Sequence, residues 1–175
     1  MENKIDKKRL LIIGAGIYGL VAKEIADSLC CFEKISFIDD YASTALDGSE
    51  VLGKSNCIDK FLTCFDNVVV AIGNPEVRMK MIAMLEKKEC NIVSLISPKA
   101  YISPSAIIEP GCIIEPMSVV QSKCVIKKGA IISAGAVINH ASTLNEGVHI
   151  DCNATVSGQA EVQAGIKVSA GKVFE

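Results

Sequence analysis

The C-terminal half of the chain repeats with a period of six residues. From Ile96 to Phe174 every sixth residue is apolar, without a break. Thirteen of these fourteen residues are aliphatic, which chance would not produce in a chain that is 50% hydrophobic. The full set is Ile96, Ile102, Ile108, Ile114, Val120, Ile126, Ile132, Ile138, Leu144, Ile150, Val156, Val162, Val168 and Phe174.

The other positions of the repeat complete the pattern. The residue two places before each aliphatic residue is mostly small, and Cys112 and Cys124 are two of these. Two inward residues separated by one outward residue make a short strand, and glycine permits unusual backbone angles at the corner that follows. Such hexapeptide repeats are typical of a parallel β-helix, whose equivalent positions stack about 4.8 Å apart. Glycine occupies the corner at Gly111, Gly129, Gly135, Gly147, Gly165 and Gly171.

The first half of the chain follows a different pattern, in which short apolar runs alternate with helical periodicity. The apolar runs predict strands at 9–14, 34–40, 67–73 and 91–96. Helical spacing begins at Ile17, and a second helix is predicted after Asn74 because Asn is a good N-cap and Pro75 suits the first turn. This alternation predicts an α/β, Rossmann-like domain with a parallel sheet.

A glycine-rich turn joins the first predicted strand to the first helix. Gly14, Gly16 and Gly19 form G-x-G-x-x-G, and Asp39 and Asp40 end the second strand. This context suits a phosphate at the helix N-terminus and a carboxylate on a ribose or sugar hydroxyl. A tight turn without a ligand is the alternative. The dinucleotide NAD is disfavoured because a domain of about 90 residues is too short for two mononucleotide-binding halves.

Composition excludes several classes of function. The net charge of −2 and the absence of Trp disfavour binding to nucleic acid, and no apolar run approaches the ~20 residues of a membrane span. The apolar run near the start ends in the glycine turn rather than at a signal-peptide cleavage site. The eight cysteines form no C-x-x-C pair, so we expect reduced thiols, a cytoplasmic protein and no metal site.

Several motifs in order resemble one family. "LLIIGAGIYG", "FIDD", "VLG", "AIGNPEVRMKM" and "ISPKAYISPSAIIEPG" together resemble the sialic acid O-acetyltransferase and nucleotide-amino-sugar N-acetyltransferase family, over nearly all of residues 9–170. The resemblance implies a small acceptor-binding domain at 1–97 and a left-handed, three-sided β-helix of about four coils at 98–175. It also implies acetyl-CoA as co-substrate and a homotrimer.

The resemblance further implies roles for individual residues. The family's catalytic histidine falls at His140, and a second histidine, which contacts the thioester carbonyl of acetyl-CoA, falls at His149, with Gly158 also on the acetyl-CoA side. A sugar or nucleotide-sugar acceptor would be bound by the N-terminal domain, through Gly14, Gly16, Asp39, Asp40, Gly73 and Asn74.

The hexads place the two histidines differently. His140 falls at a corner, whereas His149 directly precedes the inward Ile150 and therefore faces outward on a flat side. On a three-sided prism that side lies opposite the corner, so we expect the histidines to meet only between subunits. A histidine with a pKa near 6.5 suits the base that acetyl transfer requires, although a solvated corner histidine is the alternative.

The chain departs from the family's pattern at two places. Ala141 stands where an acid usually follows the base, with Glu146 or Asp151 as possible substitutes, and the hexads stop one or two coils earlier than in most members. We expect an acetyl-CoA-dependent sugar acetyltransferase of bacterial glycan or surface-polysaccharide synthesis. The alternative is a non-catalytic sugar-nucleotide-binding or assembly protein, and a NAD-binding regulator would rest on the glycine turn alone.

Overall fold

A computed structural model describes residues 8–175, so the first seven residues of the charged start lie outside the described part. The N-terminal domain contains a parallel sheet of three strands in the order β2-β1-β3, with helices between them. No helix in residues 8–175 has the length and apolar character needed to cross a membrane. The elements are β1 (Lys8–Ile13), α1 (Ile17–Leu29), β2 (Phe32–Ile38), a 3-10 turn (Ser55–Cys57), α2 (Asp59–Leu62), β3 (Asn67–Val70) and α3 (Pro75–Lys87).

The predicted fourth strand of this sheet, at 91–96, is wrong. Ile92 makes only an isolated bridge to Val68, whereas Leu95 and Ile96 form the first strand of the β-helix. The backbone N–H of Leu95 donates to the carbonyl of Cys112, 2.8 Å away. The apolar run is split because its first half reaches the sheet edge while its second half is already stacked on the coil above.

Two glycines of the glycine turn are required by close packing. Gly14 has φ +105°, and a Cβ there would lie 2.7 Å from the carbonyl oxygen of Ala71 on the neighbouring strand connection. A Cβ on Gly19 would collide with the carbonyl of Gly14. Gly16, the N-cap of α1, has open space where a Cβ would be. Strand–helix packing therefore explains Gly14 and Gly19 but not Gly16.

The C-terminal half forms the parallel β-helix that the hexads predict, with the left-handed, three-sided coil that the resemblance implies. Its two-residue strands stack into three parallel sheets of five, five and four strands, with orders β16-β13-β10-β7-β4, β17-β14-β11-β8-β5 and β15-β12-β9-β6. The aliphatic hexad residues and the small residues before them, including Cys112 and Cys124, fill one core. The strands are β4 (Leu95–Ile96), β5 (Tyr101–Ile102), β6 (Ile107–Ile108), β7 (Ile113–Ile114), β8 (Val119–Val120), β9 (Val125–Ile126), β10 (Ile131–Ile132), β11 (Val137–Ile138), β12 (Thr143–Leu144), β13 (His149–Ile150), β14 (Thr155–Val156), β15 (Glu161–Val162), β16 (Lys167–Val168) and β17 (Val173–Phe174).

Every corner from 111 onward contains one residue in the left-handed backbone region, again at a spacing of six. Six of these residues are the predicted glycines, and the others carry side chains, with φ between 55° at Ala141 and 63° at Met117 and Gln159. The stacked strands fix the path of each corner, so a residue with a Cβ is held in a conformation that costs about 1–2 kcal/mol. The non-glycine set is Met117, Lys123, Ala141, Asn153 and Gln159.

The N-terminal domain covers one side of the β-helix. Leu95, Ile113 and Ile131 face outward from successive coils of that side, yet all three are fully buried in one cluster with residues of β1 and α1. On the next coil the outward residue is His149, and on the last it is the exposed Lys167. The covered side therefore ends at the level of His149.

A buried arginine fastens the domains together. Arg78 on α3 is fully buried and donates to four carbonyl oxygens, those of Gly129 (2.7 Å), Gly147 (2.7 Å), Ile72 (2.6 Å) and Gly73 (2.9 Å). The first two belong to β-helix corners and the last two to the connection after β3. Burial lowers the pKa of Arg78 to about 10, so its guanidinium stays charged at neutral pH. Within residues 8–175 no carboxylate forms a salt bridge with it.

Replacing this guanidinium should destabilise the protein strongly. Arg78→Met keeps an unbranched side chain but leaves four carbonyls without donors, so we expect a loss of about 3 kcal/mol or more in the free energy of unfolding. Urea unfolding followed by circular dichroism measures it. The control is Lys80→Met on the same helix, which loses only an exposed ion pair with Glu76 and should cost less than about 0.5 kcal/mol. Similar losses of unfolding free energy in the two variants would contradict the role of Arg78 in holding the domains together.

Because Ala141 has a positive φ, its replacement by Gly should stabilise the protein, whereas Ala-to-Gly changes within helices destabilise it. Ala141→Gly should stabilise the protein by about 0.5–1 kcal/mol because glycine adopts positive φ without strain. Ala83→Gly, at an exposed position within α3, should destabilise it by about 1 kcal/mol. Thermal and urea unfolding of the two variants compare the signs, and destabilisation by both would refute the strain at residue 141.

Candidate active site

Three of the predicted acceptor-binding residues line one cavity. Gly14, Asp39 and Asp40 surround a space of about 330 Å³ at the carboxyl end of the three-stranded sheet. Its other walls are mostly apolar and include Ile72 and Val77. Because β1 and β2 are parallel neighbours, their carboxyl ends deliver these residues to the same edge of the sheet.

The two aspartates of this cavity already bind the backbone around them. The carboxylate of Asp39 accepts hydrogen bonds from the N–H groups of Ala15, Tyr41 and Ala42 at 2.8–2.9 Å. Burial alone would raise the pKa of Asp39, but these three donors hold it below its ordinary value. Asp40 accepts from the N–H and the hydroxyl of a single residue, Ser55. Asp39 therefore shapes the glycine turn, and a ligand would share carboxylates that are already hydrogen-bonded.

The other three predicted acceptor-binding residues lie outside this cavity lining. Gly16 is the N-cap of α1, and Gly73 lies under the ring of Tyr18, so that a Cβ on Gly73 would be 2.9 Å from its Cε2. Asn74 caps α3, its side chain accepting from the N–H of Val77 at 3.1 Å. Asn74 also lines a larger cleft of about 840 Å³ between α3 and the β-helix. The six predicted residues thus divide between one cavity and its surroundings.

His140 lies on the exposed corner between β11 and β12. Gly158 occupies the same corner one coil further on, and a Cβ there would lie 2.8 Å from Cε1 and 2.9 Å from Nε2 of the histidine. The backbone N–H of His140 donates to the side chain of Gln121. Within residues 8–175, the N–H of Gly158 has no hydrogen-bond acceptor. The corner thus presents an imidazole beside a free backbone donor.

Neither acid considered as a substitute at position 141 reaches His140. Asp151 forms an ion pair with Lys167 at 2.8 Å, on the corner that follows β13. Glu146 lies on a third corner, where it lines the cleft beside α3. Because the corners of one prism are separated by its sides, neither Glu146 nor Asp151 substitutes for the missing acid within the chain.

His149 lies at the contact between the two domains. His149 points away from the β-helix core, as the hexads predict for an outward-facing residue. The residue is nevertheless only 2% exposed, because α1 of the N-terminal domain covers this side. Its Nε2 lies 3.2 Å from the hydroxyl of Tyr18 and 3.1 Å from that of Ser133. The rings of Tyr18 and His149 meet edge to face, with centroids 5.6 Å apart.

The surroundings of His149 keep its imidazole neutral. Burial lowers the pKa of His149 to about 4, and the positive charges of Lys167 and Arg78 act in the same direction against the Asp151 carboxylate. Burial also raises the pKa of the Tyr18 phenol, which is therefore a hydroxyl at neutral pH. At this contact His149 can donate or accept one hydrogen bond on each ring nitrogen without carrying charge.

Two protein families match the chain in the order of its domains. Residues 9–85 match the PglD N-terminal domain, and residues 105–140 match the bacterial transferase hexapeptide family of six repeats. The acetyltransferase domain of PglB from Neisseria gonorrhoeae, also solved in complex with acetyl coenzyme A, is 26% identical with a TM-score of 0.74. That alignment covers 97% of this chain and 92% of the PglB chain. The chain thus combines a PglD N-terminal domain with bacterial transferase hexapeptide repeats, and it shares this architecture with sugar acetyltransferases.

Other solved structures share the fold of this sugar acetyltransferase at lower identity. PerB from Caulobacter crescentus, in complex with CoA and GDP-perosamine, is 20% identical with a TM-score of 0.77, over 95% of this chain and 88% of that one. WeeI from Acinetobacter baumannii is 21% identical with a TM-score of 0.58, over 94% and 87%. No curated protein sequence gives a significant match. The predictions of fold, family and enzyme class are confirmed.

The sequence did not reveal three residues of this acetyltransferase that surround His149. Tyr18 is one of the variable positions of the glycine motif, and nothing in the sequence distinguishes Arg78 from a surface charge on a helix. Ser133 follows an inward aliphatic residue on the corner where Glu115 and Asp151 occupy the neighbouring coils. Once three sides are assumed, a spacing of 18 residues would have shown this polar column.

The lowered pKa of His149 predicts a loss of stability in acid. The unfolded chain takes up a proton near pH 6.5 and the folded sugar acetyltransferase only near 4, so stability should fall by up to about 3 kcal/mol as the pH drops through this window. Urea unfolding between pH 7 and 4 measures it. His149→Gln should flatten the dependence, whereas His140→Gln on the exposed corner should retain it. An unchanged slope in His149→Gln would contradict the assignment.

Proposed function

We propose that the chain transfers an acetyl group from acetyl-CoA to a sugar or nucleotide-sugar in bacterial glycan or surface-polysaccharide synthesis. The N-terminal domain holds the acceptor at the cavity of Gly14, Asp39 and Asp40, with Gly16, Gly73 and Asn74 around it. His140 is the general base, and His149 and Gly158 contact acetyl-CoA. PglB, solved with acetyl coenzyme A, and PerB, solved with CoA and GDP-perosamine, support this assignment of ligands.

The observation that carries the proposal is the exposed corner of His140 and Gly158. Acetyl transfer needs a base for the attacking hydroxyl or amine and a hydrogen-bond donor for the oxyanion that develops on the thioester carbonyl. The imidazole of His140 lies directly against Gly158, whose backbone N–H is unpaired within residues 8–175. His140 takes the proton of the attacking group, and the imidazolium returns it to the departing thiolate. No covalent enzyme intermediate is needed.

We further propose that the protein is a homotrimer that completes its sites between subunits. Two sides of the β-helix are left uncovered by the N-terminal domain, and they carry the exposed apolar residues Tyr101, Ile107 and Val173. The corner of His140 lies between these two sides. The third side is covered up to His149, so a neighbouring His140 could approach His149 only at that level or above it.

Removing the base should abolish transfer without removing the fold. His140→Gln should lower the rate of acetyl transfer about 100- to 10,000-fold, because the attacking group then keeps its proton. Release of CoA thiol is measured with acetyl-CoA against a panel of free sugars, sialic acids and nucleotide-sugars. Ser122→Ala, at the equivalent corner one coil before, is the control and should keep wild-type activity. Full activity in His140→Gln would overturn the mechanism.

A non-catalytic sugar-nucleotide-binding or assembly protein is the second candidate. It is favoured by the environment of His140, whose ring receives no carboxylate contact within residues 8–175 and is followed by Ala141. Calorimetry with acetyl-CoA separates the two functions. Binding supports the transferase, whereas no binding at millimolar acetyl-CoA supports the second candidate.

A further inference from the structure

Asp151 lies at the edge of the β-helix side that the N-terminal domain covers. It follows β13 directly, two residues after His149, and its side chain is 23% exposed. One carboxylate oxygen accepts from Nζ of Lys167 at 2.8 Å, and the other accepts from the backbone N–H of Cys152 at 2.9 Å. Each oxygen therefore keeps a lone pair for a further donor.

The other acids around this side are less well placed to serve a second molecule. Glu115 occupies the same corner two coils earlier and is buried. Glu146 lies on the corner at the opposite edge of the side, where it lines the cleft beside α3. Asp151 combines exposure with closeness to His149, since its charge opposes the lowering of the His149 pKa by burial.

Lys167 keeps the carboxylate of Asp151 ionised. Lys167 lies one coil beyond His149 on the same side, and its hydrogen bond lowers the pKa of Asp151, as does the N–H of Cys152. Because this pKa lies below the ordinary value for an aspartate, the group carries its negative charge at neutral pH. The other titratable groups near this corner are His149, Tyr18, Cys152 and Glu115.

His140 lacks the group that Asp151 offers. Its imidazole makes no ion pair with a carboxylate of its own chain between residues 8 and 175, and Ala141 follows it. A base that takes up a proton becomes a cation, and a carboxylate at its other ring nitrogen stabilises that cation and orients the ring. In the proposed homotrimer a neighbouring His140 approaches the covered side at the level of His149, which is also the level of Asp151.

We propose that Asp151 is a positioning residue for the His140 of a neighbouring copy, and that it supplies between subunits the acid that is missing at Ala141. Its carboxylate accepts the ring N–H of that histidine, while the other ring nitrogen takes the proton of the attacking hydroxyl or amine. Asp151 itself stays ionised throughout. The inference rests on the proposed function and its homotrimer, because a single chain keeps the two residues on different corners.

Steady-state kinetics of the assembled protein test the positioning role. Asp151→Asn should lower kcat at least about tenfold and leave the KM for acetyl-CoA nearly unchanged. The acidic limb of its kcat profile should move to lower pH, because the imidazolium loses a stabilising charge. Glu146→Gln removes the acid at the opposite edge of the same side and should change neither. Lys167→Met breaks the ion pair but leaves the carboxylate in place, so it should keep most of the wild-type kcat.

A rescue variant tests whether the lost activity is that of an acid beside His140. Ala141→Asp places a carboxylate directly after the base, and Asp tolerates the positive φ of this corner better than most residues do. In the Asp151→Asn background it should recover most of the lost kcat, whereas in the wild-type background it should add little. An unchanged kcat in Asp151→Asn, an equal loss in Lys167→Met, or no recovery in the double variant overturns the inference.

Chemical cross-linking tests the contact between copies without any activity. His140→Cys puts a thiol on the corner of the base, and Cys152, next to Asp151, is exposed in the native chain. A short bismaleimide should join position 140 of one copy to Cys152 of another, which mass spectrometry of the linked peptides identifies. Gln163→Cys, on the exposed corner beside the α3 cleft, should give no link to Cys152.

The outcomes distinguish the inference from the proposed function. A monomer in sedimentation, or an oligomer without the link between position 140 and Cys152, overturns the inference even if the wild-type protein transfers acetyl groups. Absence of transfer by the wild-type protein overturns the proposed function, while the cross-link still supports the contact between the corner of His140 and that of Asp151.

Discussion

The relative placement of the two domains depends on one buried cation. Arg78 spends all its hydrogen bonds on backbone carbonyls, two from the connection after β3 and two from the β-helix corners at Gly129 and Gly147. A carboxylate partner would have bonded Arg78 to one side chain. The four carbonyls instead bond it to main-chain segments of both domains. Each buried acceptor left without a donor costs free energy. Arg78 therefore favours the one arrangement of the domains in which all four carbonyls are paired. The cavity of the acceptor domain and the stack of coils are thereby held as one unit.

The β-helix was predictable because the residues that fill its core recur every six positions in the sequence. One large and one small inward residue per strand define the repeat, and the stacked backbone ladders then follow. The sequence revealed only those corners that carry glycine. Met117 and Ala141 adopt the same positive φ although nothing in their side chains favours it. There the coils above and below impose the conformation, a tertiary effect that local propensity does not contain.

The candidate site was less predictable, because its residues depend on how separate elements meet. The motif placed Asp39 at the right edge of the sheet, but its carboxylate is occupied by backbone N–H groups that no spacing rule could assign. The hexads oriented His149 correctly away from the core and could not show that α1 covers it. The apolar outward residues Leu95, Ile113 and Ile131 carried that information, since a column of such residues on a β-helix side needs a partner surface.

Arg78, which holds the two domains together, also influences the chemistry of the site. The charge of Arg78 is one of the influences that lower the pKa of His149, alongside burial and Lys167. A positive charge on the imidazole is disfavoured there, so His149 is unsuited to gain a proton during a reaction. His140 lies on an exposed corner, away from the covered side. Domain packing therefore keeps the imidazole of His149 neutral, and His149 is affected because the N-terminal domain covers its side of the prism. An acid directly after the base, at the position of Ala141, would orient the imidazole of His140 but would not change the burial of His149.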